Sequence, residues 1–386
     1  MIMEKNIPYA LPWIEEEEIE EVVAALRSNW LSKGPRTVEF EKQFANFAGA
    51  NRALALNSAT AGLHLSQLSV GIGAGDEVIT TPYTFVSTAN TILHTGAKPV
   101  FSDIDPVTLN IDPSLIESKI TDKTKAIIPV HIAGYPVDMD PVLEIARKHH
   151  LFVIEDAAHA VYTQYKGRMV GSIGDLTNFS FYATKNLVTG EGGMVTTNNE
   201  EIADKVRVMS LHGMSKNAWN RYSDKGSWFY EVEYPGFKYN MTDIQAALGL
   251  VQLRKLEKLQ QLREQYAMMY SEALREIEGL ILPHYDDINR HAWHLYIIRL
   301  KEGFFTIDRA QFIEELKDRG IGTSVHFIPV HLHPYYQKLG YRYGDYPLAE
   351  KAYEGAISIP LYPKMTKEEV EQVIAAIFDV AKTFKR

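Results

Sequence analysis

A chain of 386 residues is longer than the size at which one hydrophobic core keeps growing, which predicts two domains. Its net charge of -9, with acidic and basic residues interspersed, argues against nucleic acid or an anionic membrane as the main partner. With no cysteine, disulfides, thiolate metal sites and cysteine nucleophiles are excluded. The first residues form no apolar signal region and no stretch approaches about eighteen apolar residues, so a cytoplasmic protein is expected.

Residues 1–14 read as an extended arm with Pro8 and Pro12. An amphipathic helix over 15–28 follows, with Ile19, Val22, Val23 and Leu26 at helical spacing and glutamates in its first turns, where the helix dipole favours them. A turn-rich segment, 29–35, carries Trp30 and Lys33 and leads to a helix over 37–48. Short apolar strands then alternate with helices: 52–56 with 61–69, 77–81 with 86–94, 99–103 with 112–119, and 126–130 with 139–149. This alternation predicts a parallel sheet covered on both faces. The run Gly71-Ile-Gly-Ala-Gly-Asp76 contains G-x-G but follows a helix and precedes a strand, the reverse of a dinucleotide fingerprint. It reads as a helix C-cap and turn.

Strand 151–154 ends in Glu155-Asp156, and two further strands flank a turn that carries Lys185 and Gly190-Glu-Gly-Gly193. A helix over 200–211 precedes a polar, aromatic-rich loop at 213–239. Asn240-Met-Thr-Asp243 is expected to cap a long helix reaching about residue 277, of the kind that bridges two domains. Beyond it, a strand at 294–300, a helix at 308–319, a short strand at 323–328 and a helix at 367–385 suggest a smaller α+β domain. The expected division is 15–255 and 256–386, with the arm packing near the second part.

Four features fall at the C-terminal ends of successive strands, the rim where open α/β sheets bind ligands. Ser58-Ala-Thr60-Ala61 opens a helix and offers free N–H groups and hydroxyls to a phosphate, or is simply a good cap. Phe85 can stack on a flat ring, or belong to the core. Asp156 can pair with a protonated ring nitrogen, or merely end its strand. Lys185, five residues after Ser180, can form a Schiff base if apolar walls lower its pKa, or face water. Each feature is ambiguous by itself. In this order they are the parts that a pyridoxal 5′-phosphate site requires.

Five runs sharpen the reading: Asn57-Ser-Ala-Thr-Ala-Gly-Leu-His64, Thr81-Pro-Tyr-Thr-Phe-Val86, Glu155-Asp-Ala-Ala-His-Ala160, Ser180-Phe-Tyr-Ala-Thr-Lys-Asn-Leu187 with Gly190-Glu-Gly-Gly193, and Phe237-Lys-Tyr-Asn-Met-Thr-Asp243. Together they resemble the DegT/StrS family of nucleotide-sugar aminotransferases, from Trp30-Leu-Ser-Lys-Gly-Pro35 to His326-Phe-Ile-Pro-Val-His331. The resemblance implies the fold-type I architecture of pyridoxal-phosphate enzymes, an α/β fold with a mostly parallel central sheet and a smaller C-terminal domain. It also implies a homodimer with shared active sites.

By the same resemblance Lys185 is the aldimine lysine and Asp156 the partner of the pyridine nitrogen. His159 lies beside the ring, Phe85 stacks on it, and Thr60, Ala61 and Ser180 hold the phosphate. Asn240 reaches the phosphate of the neighbouring subunit. Lys33, Tyr182, Arg221 and His326 approach the substrate; position 182 is often histidine in the family and is tyrosine here. Relatives that dehydrate replace the lysine with histidine, so Lys185 implies amination.

The expected reaction moves an amino group from glutamate to a keto sugar carried on a nucleoside diphosphate, with C4 of a UDP-4-keto sugar favoured. A dTDP-keto sugar or a cyclitol is the alternative substrate, and a cofactor-binding regulatory protein without turnover the alternative class. His331 and His333 mimic a metal pair but no further ligands accompany them, and no metal is assigned.

Overall fold

The computed structural model describes residues 6–214 and 230–386. Its strands in the first two thirds of the chain are β1 (Arg52–Leu56), β2 (Glu77–Thr80), β3 (Lys98–Phe101), β4 (Thr124–Ile128), β5 (Phe152–Asp156), β6 (Gln164–Tyr165), β7 (Arg168–Met169), β8 (Leu176–Ser180) and β9 (Gly193–Thr197). Seven of them form one sheet in the order β1-β9-β8-β5-β4-β2-β3, while β6 and β7 make a separate two-stranded hairpin. Strand β9 runs antiparallel to both its neighbours, and the other pairings are parallel.

Strands of such a sheet are buried on both faces and so read as continuous apolar runs. Successive residues nonetheless part company, as the period of two demands. Ile79, Ile127 and Val153 join one core with Phe40, Phe44 and Phe179. Val78, Ile128 and Ile154 join the other with Leu54, Leu63 and Val206. The helices Pro35–Ala48 and Met139–His149 supply the first face, and Ala59–Ser69 and Glu200–Met209 the second. Gly71-Ile-Gly-Ala-Gly-Asp76 is the C-cap and turn expected of it: Ile72 N–H donates to Gln67 O at 3.1 Å, and Gly71 takes a left-handed φ of +82°.

The long helix spans Asp243–Leu274 and touches two cores, Ala246 and Leu250 in the first and Tyr266, Tyr270 and Leu274 in another. Its N-cap is Thr242, in a capping box with Gln245, and not Asn240. Asn240 instead continues the chain beside β1, in a single bridge to Leu56. Asp243 spends its fully buried carboxylate on another helix. It accepts from the N–H groups of Gly34, Arg36 and Thr37 at 2.8–3.0 Å and from Thr37 Oγ1 at 2.6 Å, at the start of Pro35–Ala48. Orphan helix N–H groups and the dipole both favour an anion there.

Strands β10 (Leu280–Ile281), β11 (Tyr296–Leu300) and β12 (Ala356–Ile359) make an antiparallel sheet over the core that holds Tyr270 and Val373. The expected strand at 323–328 is absent. That segment meets β12 through one bridge, Ser324 to Ser358, and then turns its His326 and Phe327 into a cavity. Strand β12 takes its place, too short to signal itself and held by β11. The arm docks here: Ile7 is fully buried, donates to Gly320 O and accepts from Gly322 N–H, both at 2.8 Å. No described helix is long and apolar enough to cross a membrane.

Candidate active site

Register brings the strand ends to one point. Leu56, the last residue of β1, and Ser180, the last of β8, both pair with Gly193, the first residue of β9. Asp156, the last of β5, pairs with Asn178 on the other side of β8. The helix Ala59–Ser69 starts so close to β9 that a Cβ on Gly193 would lie 2.4 Å from the Ser58 carbonyl carbon. The final glycine of Gly190-Glu-Gly-Gly193 is therefore required for backbone to approach backbone.

A cavity of about 440 Å³ opens at this rim. Of the residues singled out from sequence, Thr60, Phe85, Asp156, His159, Ser180, Tyr182, Lys185 and His326 line it. Ala61 lies behind the wall, its N–H held by the Oγ of the N-cap Ser58 at 3.1 Å. The first N–H groups of that helix, Ala59 and Thr60, have no partner within the helix by its geometry, and both residues border the cavity.

Lys185 sits in a tight turn after β8, where its N–H donates to Tyr182 O at 2.9 Å. Burial pulls its ammonium down to about 8, partly opposed by the charge of Asp156. Asp156 is 4% exposed. Burial pushes its carboxyl up, while hydrogen bonds from Thr88 Oγ1 at 2.8 Å and Ala158 N–H at 3.1 Å pull the other way. The carboxylate thus stands dehydrated, with an incomplete set of donors. Behind it, Glu155 accepts from Gly174 N–H, Thr177 Oγ1 and His131 Nε2 at 2.7–3.0 Å, one donor more than Asp156 has. His131 Nδ1 accepts from Val137 N–H, so its proton sits on Nε2 and points at Glu155.

Planar groups form a slot. His159 stacks on Phe327 with ring centroids 5.7 Å apart and an angle of 16°, and Phe85, 58% exposed, stands 6.1 Å from the same Phe327. Phe85 is a rim residue, not a core one. Burial, with Lys185 close by, holds His159 well below the ordinary imidazole range. Its Nδ1 accepts from Ala133 N–H at 3.3 Å, which puts the proton on Nε2. His326 donates or accepts through Nδ1 with Ser358 Oγ at 2.8 Å and is lowered to about 4 by burial and then by Lys185.

Two expected residues, Lys33 and Asn240, lie away from the cavity lining. Lys33 is away from the cavity, paired at 2.9 Å with the buried Glu41, which Arg207 also reaches. Asn240 is buried beside Leu56 at the end of β1; its Nδ2 donates to Met241 O, and among the described residues its Oδ1 has no hydrogen-bond partner. Arg221 lies outside the described residues. Four further residues enter the site without having been read from the sequence. Thr88 and Thr84 form a hydroxyl chain to Asp156, with 2.8 Å between their Oγ1 atoms. His294 comes within 3.4 Å of Lys185 Nζ, and Phe327 makes the slot wall. Thr88 had a signal, a hydroxyl one turn into the helix that Phe85 caps. His294 had none, being 109 residues from its partner.

The model of the DegT/DnrJ/EryC1/StrS aminotransferase family matches residues 12–378. The spore coat polysaccharide biosynthesis protein SpsC of Bacillus subtilis is 58% identical over 99% of both chains. Spr1654 of Streptococcus pneumoniae, solved in forms with pyridoxal and with pyridoxamine phosphate, superposes with TM-scores of 0.92 and 0.93. It is 36–37% identical and is matched over 98% of this chain and 99–100% of its own. PseC of Helicobacter pylori, an aminotransferase involved in the biosynthesis of pseudoaminic acid, gives 0.92 at 33% identity, covering 98% of this chain and all of its own. With a fold-type I sheet, a lysine and an aspartate meeting in one cavity, and these likenesses end to end, the chain belongs to the DegT/DnrJ/EryC1/StrS family and is a pyridoxal-phosphate-dependent sugar aminotransferase.

Proposed function

We propose that this enzyme transfers the amino group of glutamate to a keto sugar carried on a nucleoside diphosphate, at C4 of a UDP-4-keto sugar. The observation that carries the site assignment is the meeting of Lys185, with its lowered pKa, and the dehydrated Asp156 in one cavity beside the free N–H groups of a helix start. A phosphate matches those N–H groups, and a cationic ring nitrogen supplies the charge that buried Asp156 lacks. The residues therefore fit the cofactor. Ala59, Thr60 and Ser180 would hold its phosphate, Asp156 its ring nitrogen, and Phe85 and His159 its ring faces or edge. Lys185 would hold its carbonyl carbon. When bound, pyridoxal phosphate supplies an electron sink and a carrier for the amino group.

The chain's own part is positioning and proton handling. An amine with a pKa near 8 is partly neutral at physiological pH, so Lys185 can attack a carbonyl and, once free, accept and return a proton. Asp156 stabilises positive charge at the cavity floor. Tyr182, which is exposed, and His326 line the cavity, where they would meet the sugar.

The same reading makes the enzyme a homodimer with shared sites. Among the described residues that line the cavity, Lys185 is the one lysine or arginine, and Asp156 and Glu191 line it too. A diphosphate and a dicarboxylate donor both need cations, which a second copy related by a twofold axis would bring in reciprocally. Arg221 belongs to this proposal as a residue that approaches the substrate, whereas Lys33 would first have to leave its buried pair with Glu41. The buried, unpaired Oδ1 of Asn240 supports an unsatisfied amide awaiting a ligand. Division of the chain near residue 255 into a large and a small domain also belongs here, supported by the separate cores at the two ends of the long helix.

Incubation of the purified protein with glutamate and a panel of UDP- and dTDP-4-keto sugars, with mass detection of the amino sugar, tests the substrate. Amination of a UDP-4-keto sugar is expected; turnover confined to dTDP sugars or cyclitols would transfer the assignment to those. For the shared site, Asn240→Asp aims a negative charge where the partner's phosphate is proposed to lie. Thr242 still caps the long helix in this variant, but the Nδ2 donor to Met241 O is lost and a charge is buried, so the melting temperature of the cofactor-free protein should fall. Cofactor affinity, read at a temperature where the variant is folded, should fall at least about tenfold. Unchanged affinity, or a monomer in sedimentation, would refute sharing.

A further inference from the structure

We propose that His294 is a positioning residue for Lys185: its tautomer is locked by Asn186 so that a bare Nε2 faces the lysine amine. The inference deepens the site reading above and rests on Lys185 being the cofactor's lysine.

The lock follows from one amide. Asn186 Nδ2 donates to Ala292 O at 2.7 Å, which fixes the amide orientation and leaves its Oδ1 as an acceptor. That Oδ1 lies 3.1 Å from His294 Nδ1, so Nδ1 must carry the ring proton. A neutral imidazole with its proton on Nδ1 has a lone pair on Nε2, and Nε2 is the atom 3.4 Å from Lys185 Nζ. The ring stays neutral because burial, with Lys185 and His159 next in order, holds it well below the ordinary imidazole range. Nζ–H therefore donates to Nε2, and the proton remains on the lysine.

The main chain around His294 is braced as firmly as its ring. Its N–H donates to Ala133 O at 2.9 Å. Arg263, 3% exposed and lowered to about 10 by burial, directs Nη1 at Trp293 O (3.2 Å), His294 O (3.4 Å) and Leu361 O (2.9 Å). Trp293 is held at a left-handed φ of +48°, a conformation that bulky residues adopt when the surroundings over-determine it. A bracket from the long helix thus fixes a strained turn that delivers the His294 imidazole to the cavity wall.

A lysine side chain released from a covalent bond regains several rotatable bonds, and an acceptor beside Nζ limits where the amine goes. The groups that face the amine electrostatically are Asp156, His294, His159 and His326, with Arg263 acting on His294 from behind. Asp156 and the His294 lone pair favour the ammonium form, whereas burial favours the free amine. His294 is thereby expected to keep the amine titrating near neutrality instead of far below it.

Two measurements on the full chain freed of cofactor test this. Nitrogen-15 spectra of labelled histidines, assigned by comparison with His294→Gln, should show His294 protonated at Nδ1 and bare at Nε2. The opposite tautomer would overturn the proposal, and this measurement reads the wild-type fold alone. Competitive acylation of lysines against pH, read at Lys185 by mass spectrometry, should give a wild-type midpoint near about 8. His294→Phe, which has no acceptor, should acylate at least about threefold faster at pH 7, and His294→Gln, which presents an amide oxygen, should return to within about twofold of wild type. Equal rates in all three, or Gln behaving as Phe, would overturn it. Borohydride fixation of the loaded protein separates the two levels: a cofactor fixed to another lysine removes the site reading, whereas fixation at Lys185 with unmoved acylation removes only the role of His294.

Discussion

Lys185→Ala is expected to reduce turnover below detection and to abolish borohydride-fixed cofactor, while noncovalent cofactor binding persists through the phosphate seat and Asp156. The expectation rests on geometry: no other lysine or arginine lines the cavity among the described residues. Fixation of the cofactor on a different lysine would move the assignment. The variant has a second signature, in stability. The unfolded chain binds the Lys185 proton at the ordinary 10.5 and the folded chain at about 8, so between these values the unfolded state holds more protons. Wild-type stability without cofactor therefore rises with pH across that window, and below it the fold carries a cost of up to about 3 kcal/mol. Alanine removes the cost. The melting temperature of the variant relative to wild type should be most favourable near pH 7 and decline steadily toward pH 10.5; a flat difference would mean that the amine is not dehydrated.

The second large effect is expected at Asp156. Asparagine keeps the shape and can still accept one hydrogen bond, but it cannot hold a positive ring nitrogen. Asp156→Asn should lose at least about a hundredfold in turnover, roughly 3 kcal/mol of transition-state stabilisation, with the fold intact. The cofactor-free variant should be no less stable than wild type at neutral pH. Burial raises the carboxyl of Asp156, so the folded state resists its ionisation, and the neutral amide escapes that resistance. Near wild-type turnover would transfer the role, but Glu155 is a poor heir: its carboxylate is already engaged by Gly174, Thr177 and His131 and it does not line the cavity. Thr88→Val offers a milder form of the same experiment, removing the hydroxyl donor at 2.8 Å and leaving the Ala158 N–H in place.

Both effects share one physical logic. A lysine and an aspartate are kept buried at the cavity wall at a cost to the cofactor-free fold, and on the proposed assignment the bound cofactor would offset that cost by supplying a carbonyl to one and a cation to the other. This is the sense in which the site is built for its ligand before the ligand arrives.

The sequence by itself determined whatever depends on neighbours along the chain. The alternation of strands and helices, the strand-end positions of Asp156 and Lys185, the cap at Ser58 and the glycines after Lys185 are local patterns with local causes, and each is legible in a window of a few residues. Family motifs are likewise local, so the cofactor and the reaction class followed from them.

Tertiary structure alone decided what long-range packing sets. That Lys33 turns to Glu41, that Asp243 caps a helix 206 residues away in the chain, and that Asn240 leaves the cap to Thr242 all depend on which surfaces meet. The missed strand β12 and the mistaken strand at 323–328 have the same origin. Both segments are short and mix apolar with polar residues, and the choice between them was made by the edge of β11, not by their own propensities. His294 is the clearest instance: nothing near it in the chain signals a functional group. It reaches Lys185 because Asn186 turns its ring from one side and Arg263 fixes its carbonyl from the other. Local sequence can place a reactive residue at a strand end, but what surrounds that residue is assembled from elements distant in the chain, and only their packing fixes which atoms touch.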